Sequence, residues 1–145
     1  MVVQDFAAKA IFLDTAPLIY FIEGHSAYAP ILARLFNFND KAGFSFIAST
    51  ITLLEVLVKP LREGKTAIAD QYRYILNNAP GIEILDMNTA IAETAARLRA
   101  TYNLKTPDAI QLATALEAKA DYFLTNDIKL KAVSEVVVVT MDELS

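Results

Sequence analysis

The stretch VVVVT, Val136–Thr140, is apolar at four consecutive positions and β-branched at all five. A strand with one wet face alternates apolar and polar side chains. This run does not, so both of its faces are expected to be covered, as in a parallel sheet with helices on either side. Four more short runs read as strands: AIFL (Ala10–Leu13), FSFIA (Phe44–Ala48), IEIL (Ile82–Leu85) and YFLT (Tyr122–Thr125). Helical patterns separate them. A short stretch beginning near Pro17 is followed by SAYAPILARLFNF; ITLLEVLVKPLREG has Gly64 as terminator and Pro60 as a bend or early stop. KTAIADQYRYILNN carries Ile68, Tyr72 and Ile75 on one face, and NTAIAETAARLRATY repeats Ile91, Ala95, Leu98 and Tyr102 at helical spacing. LKTPDAIQLATAL is a helix that buries Ile110, Leu112, Ala113 and Leu116. Strands alternating with helices predict one α/β domain over residues 1–145, with a mostly parallel central sheet of about five strands covered on both sides.

Composition narrows the function classes. A chain of 145 residues with 54% hydrophobic content can bury a core without staples. It contains no cysteine, which excludes disulfides and thiolate metal sites and makes a reducing cytoplasm the expected compartment. The opening MVVQDFAAKAIFLD has no apolar run long enough for a secretion signal, and no membrane span is expected. Thirteen basic and seventeen acidic residues give a net charge of −4, which argues against a broad basic face. Gathering four carboxylates around a divalent cation would leave the remaining charges balanced, since 17 − 4 = 13.

In an open α/β sheet, ligands bind beyond the carboxyl ends of the strands, at the point where the strand order reverses. Four acids stand at such ends or on the helix turns beyond them. Asp14 follows AIFL; it is either a helix-starting residue before Pro17 or a site residue. Glu55 is either the acid of a capping box with Thr52 or, if Ser49 or Thr50 is the cap, a carboxylate inside the most apolar helix. Asp108 opens a helix after Thr106 as cap and Pro107 at the first position, and Asp127 begins a short helix with Thr125 or Asn126 as cap. Singly each has a local explanation. Together they do not, because two carboxylates ~4 Å apart repel by about 4 kcal/mol at an effective dielectric near 20. A hard-oxygen set without histidine or cysteine suits Mg²⁺ or Mn²⁺. Asp86 also follows a strand but is read as part of a helix start near Asp86 or Asn88, and the single histidine, His25, as structural.

In order, FLDTAPLIYFIEGH, STITLLEVLVKP, LKTPDAIQLATAL and YFLTND resemble the PIN-domain ribonucleases, most closely the VapC-type toxins of bacterial and archaeal toxin–antitoxin systems. The resemblance spans about Ile11 to Leu130. It implies a PIN-like three-layer α/β/α fold, with Asp14, Glu55, Asp108 and Asp127 as catalytic metal ligands and Thr125 and Asn126 supporting them from behind. It also implies a cytoplasmic, Mg²⁺- or Mn²⁺-dependent endoribonuclease acting on RNA, an antitoxin protein as partner, and a homodimer. Lys59, Arg62, Lys65, Lys129 and Lys131 lie near these elements and divide between phosphate contacts and plain solvated surface. The segment PLIYFIEGHSAYAPILARLF has more large apolar side chains than one buried helix face needs, which leaves core packing and an association surface both open. Rival chemistries fit less well: there is no D-x-D after the first strand, no receiver-type acidic pair and no glycine-rich phosphate loop. A noncatalytic RNA- or protein-binding module and a housekeeping processing nuclease are the remaining alternatives.

Overall fold

Strand β1, Ala10–Leu13, lies at the centre of a five-stranded sheet and pairs in parallel with β2, Ser45–Ser49, on one side and β4, Tyr122–Thr125, on the other. The computed structural model describes residues 1–42 and 45–145, with no side-chain description for 39–42. Beyond β2 lies β3, Ile82–Leu85, and beyond β4 lies β5, Val137–Thr140, giving the order β3-β2-β1-β4-β5. Every pairing is parallel, so the sheet is fully rather than mostly parallel. The chain winds outward from β1 to β3, then returns to β4 and winds the other way. The strand order therefore reverses between β1 and β4, and the crevice beyond their carboxyl ends is where the fold places a site.

Six α-helices among the described residues cover the sheet: α1 (Thr15–Ile22), α2 (Ala29–Ala42), α3 (Thr50–Arg62), α4 (Thr66–Asn78), α5 (Thr89–Tyr102) and α6 (Thr106–Glu117). Strand alternation sorts the core into two layers. Phe12, Ile47, Phe123 and Val138 face α5 and α6, meeting Ile91, Leu98, Ile110 and Leu112. Ile11, Leu13, Phe46, Leu124 and Val139 face the other way onto Leu32 and Leu35 of α2, while Ala48 meets Leu18, Val56, Tyr72 and Leu76 of α1, α3 and α4. Each such apolar side chain contributes about 1.5–3 kcal/mol on burial. This is a three-layer α/β/α arrangement.

Local expectations are met with instructive exceptions. In VVVVT, Val136, Val138 and Val139 are buried but Val137 is 56% exposed. The strand starts at Val137 on the sheet edge, where the cover that reaches Val139 does not extend. Strand β2 runs to Ser49, one residue past the expected Ala48, because Ser49 still pairs with Leu85 while capping α3; Phe44 lies outside the described residues. Pro60 does not stop α3, which continues to Arg62. Its missing N–H falls near the helix end, and Gly64 at φ +70° closes it through Gly64 N–H to Leu61 O (3.3 Å) and Lys65 N–H to Pro60 O (2.8 Å). On α4 the buried residues are Ala69, Tyr72 and Leu76, with Ile68 and Ile75 half-buried at the rim. Lys105, not Thr106, is the N-cap residue of α6, with no side-chain bond, and Asp127 itself caps the short 3-10 turn Ile128–Ala132. Asn88 caps α5 as expected. His25 is structural: its Nδ1 accepts the Ala27 and Tyr28 N–H groups at 3.1 and 3.2 Å.

The segment from Pro17 to Phe36 contributes to packing. Leu18, Leu32 and Leu35 are fully buried, and Tyr20, Phe21, Tyr28, Ile31 and Phe36 pack against the core. The exposed large apolar residues gather instead on α3, where Leu54 (60% exposed), Val58 (43%) and Leu61 (55%) form one stripe at helical spacing. No helix among the described residues is long and apolar enough to cross a membrane.

Candidate metal centre

The first residue past β1 is Asp14. Leu13 stands opposite Leu124 in the β1–β4 ladder, and Asp14 N–H continues it by donating to Leu124 O at 2.9 Å. That register sets Asp14 beside Thr125, whose hydroxyl donates to Asp14 Oδ2 at 2.7 Å. The other carboxylate oxygen, Oδ1, accepts Thr15 N–H at 2.9 Å, so Asp14 is also the N-cap of α1. The helix-starting role read from the sequence is thus filled, with the same carboxylate standing at the carboxyl end of the central strand.

Thr125 reaches the next acid as well. Its Oγ1 accepts Asp127 N–H at 3.1 Å, and Asp127 Oδ1 accepts Lys129 N–H at 3.0 Å. Asn126 lies between them; its amide donates to Tyr20 OH at 2.7 Å, tying this loop to α1. From α3, Glu55 accepts the Thr15 hydroxyl at 2.8 Å. Glu55 is no capping-box acid: Ser49 caps α3 and Thr52 closes the box, which leaves Glu55 half-buried within the helix. Asp108 sits half-buried in the first turn of α6.

Electrostatics links the four acids. Burial pushes the Asp14 carboxyl up to about 6; the Thr125 and Thr15 bonds oppose that, and the Asp108 and Glu55 charges add to it. The Asp108 carboxyl is raised by burial, then by the Asp127 and Glu55 charges, with Lys105 opposing. Asp108 thus lies within the field of all three others. Asp86, exposed as Asp127 also is, stands at the end of an edge strand.

The donor chemistry fits a hard divalent cation: carboxylates only, Asp14, Glu55 and Asp108 half-buried and Asp127 exposed, at a place where negative charge is insufficiently offset. The carboxylates do not form a finished cage. Among the described residues, no group of three acidic or imidazole side chains stands ready to enclose an ion. Mg²⁺ keeps several of its waters and takes one or two carboxylates directly, so an open set is compatible with it. Of the basic residues named from the sequence, Lys65 is paired with Glu63 at 2.9 Å and Lys131 is paired with Glu143, while Lys59, Arg62 and Lys129 are exposed.

Sequence reasoning missed four residues that bond to or act on these acids or the segments carrying them. Thr15 orients Glu55 and Lys105 is the cation nearest in effect to Asp108. Tyr20 anchors Asn126. Gln111 was the most legible, as a lone amide in the apolar run AIQLA. A buried polar group demands partners, and that demand was the available signal.

Residues 11–136 match the family described as PIN domain. Among solved structures, a toxin–antitoxin complex from Klebsiella pneumoniae shares 26% identity at a TM-score of 0.67, covering 90% of this chain and 97% of that one. VapBC2 from Rickettsia felis, bound to a DNA fragment from its promoter, shares 19% at a TM-score of 0.71, over 90% and 98%. VapC20 from Mycobacterium tuberculosis, a toxin that cleaves the sarcin–ricin loop, shares 16% at a TM-score of 0.70, over 86% and 95%. No protein of curated function matches in sequence.

Proposed function

Because this chain belongs to the PIN domain family, we propose that it is a Mg²⁺- or Mn²⁺-dependent endoribonuclease and the toxin of a toxin–antitoxin pair. What supports the reading is that hydrogen bonds and charge link acids carried by four separate segments at the carboxyl end of the sheet. The Thr125 hydroxyl joins Asp14 to the Asp127 backbone, while Asp108 feels the charge of Asp14's neighbours Glu55 and Asp127. Asp14 and Asp108 would be the principal ligands, with Glu55 and Asp127 completing or orienting the site, some through water. A bound divalent cation supplies Lewis acidity, lowering the pKa of water and offsetting charge on a phosphodiester.

The chain's own contribution is positioning. Thr125 and Thr15 N–H hold both oxygens of Asp14, and the Thr15 hydroxyl holds Glu55. Those bonds restrict the rotamers of two carboxylates before any ligand arrives, which lowers the entropic cost of binding one. No side-chain nucleophile is needed, in keeping with a chain that has no cysteine and whose single histidine accepts two backbone N–H groups. Lys59, Arg62, Lys105 and Lys129 are the exposed cations available to RNA phosphates.

The antitoxin assignment draws on the Klebsiella complex, the most similar in sequence of the three structures compared above. The α3 stripe of Leu54, Val58 and Leu61 is the apolar face available for association, with an antitoxin segment or in a homodimer. The decisive experiment incubates purified protein with RNA in Mg²⁺ or Mn²⁺, then with EDTA, then as Asp14→Asn and Asp108→Asn. Cleavage that persists undiminished in EDTA or in either variant would falsify the assignment.

A further inference from the structure

We propose that Gln111 is a positioning residue: its buried amide, held between Ser49 and Thr52, sets the spacing of Glu55 and Asp108 and so tunes divalent-cation affinity. The inference rests on the metal-site reading above. Gln111 is 1% exposed, and both ends of its amide are engaged. Its Oε1 accepts the Ser49 hydroxyl and its Nε2 donates to Thr52 Oγ1 at 2.8 Å. Ser49 and Thr52 are themselves 2% and 0% exposed.

Neither helix needs this amide for itself. The cap of α3 is complete without it: Ser49 Oγ accepts Ile51 and Thr52 N–H, and Thr52 Oγ1 accepts Ser49 N–H. On α6 the neighbours Ile110, Leu112 and Ala113 are all buried apolar residues, so an apolar side chain would serve packing equally well. What Gln111 adds is a link between two helices that otherwise meet only through non-directional contacts. Thr52 is three positions before Glu55 and Gln111 three positions after Asp108, each pair sharing one helix face. The planar amide therefore clamps α3 to α6 one turn away from both carboxylates. Losing the clamp lets the helices slide, and the distance between the two acids changes with them.

The test uses the full chain and Mn²⁺ alone as probe, with affinity read by electron paramagnetic resonance in the absence of RNA. Gln111→Met keeps length and removes both bonds; Thr52→Val removes the hydroxyl from the other side, and Thr52→Ser restores it. Thr114→Val is the control, a hydroxyl 1% exposed on the same helix that donates to Ile110 O. About tenfold weaker binding is expected for Gln111→Met and Thr52→Val, the low end of the effect of losing a bond made to a ligand directly. Their double mutant should lose less than the sum of the two singles, since both break the Thr52–Gln111 bond. Thr52→Ser should recover affinity, and Thr114→Val should lower the thermal midpoint alone. On single-stranded RNA, the two clamp variants should lose kcat while KM stays nearly constant. Wild-type Mn²⁺ affinity in both clamp variants, or an equal loss in Thr114→Val, would overturn the clamp and leave the metal site standing. A wild-type chain that fails to bind Mn²⁺ would overturn both.

Discussion

Asp14 and Asp86 follow nearly the same local sequence, IFLD and EILD, each the last residues of a parallel strand and the first beyond it. Their environments share nothing else. Asp14 ends the central strand, half-buried, bonded to Thr125 and Thr15, with its carboxyl pushed up to about 6. Asp86 ends the edge strand, exposed, and leaves the capping of α5 to Asn88. A carboxylate acquires an unusual environment from the strand's place in the sheet, because only at the reversal of strand order do two strand ends and two helix starts face one crevice.

The largest expected separation between the two residues is in cleavage. Asp14→Asn should reduce RNA hydrolysis by ~10³-fold, the scale of losing a catalytic charged group, while Asp86→Asn stays near wild type. Equal losses in the two would break the comparison. Next in size is stabilisation by metal. At ~100-fold excess over its dissociation constant Mn²⁺ should raise the unfolding free energy of wild type and Asp86→Asn by about 2.7 kcal/mol, and that of Asp14→Asn by far less. Denaturant titrations with and without the ion measure this directly.

A pH series without metal sharpens the contrast further. The Asp14 carboxyl is raised from 3.8 to about 6, so the folded state holds its proton more tightly than the unfolded chain. The resulting stability is fully present below about 4 and is lost as pH rises through about 6. The gap between those values corresponds to at most about 3 kcal/mol, and about 1–3 kcal/mol is expected as the difference in pH dependence between wild type and Asp14→Asn. If Asp14→Asn follows the wild-type curve, the burial argument is wrong. The smallest effect is that of Thr125→Val, which removes the bond to Asp14 and leaves the Asp127 N–H without its acceptor. About tenfold weaker Mn²⁺ binding is expected, measurable by calorimetry.

The sequence carried the five strands and the helix positions, because side-chain periodicity and helix-start chemistry are local properties. It could not distinguish Asp14 from Asp86 on those grounds, nor decide whether Glu55 belonged to a capping box. It left open whether the apolar residues of Pro17–Phe36 pack inward or form a surface; they contribute to the core, and an exposed apolar stripe lies on α3. Which apolar helix face meets another layer depends on how the layers stack, and no single helix encodes that. The bonds from Thr15 to Glu55 and from Gln111 to Thr52 span 40 and 59 residues of chain. Such partners become visible only once the strand order is set, because hydrogen bonds are short and the fold alone determines which distant groups come within reach of them.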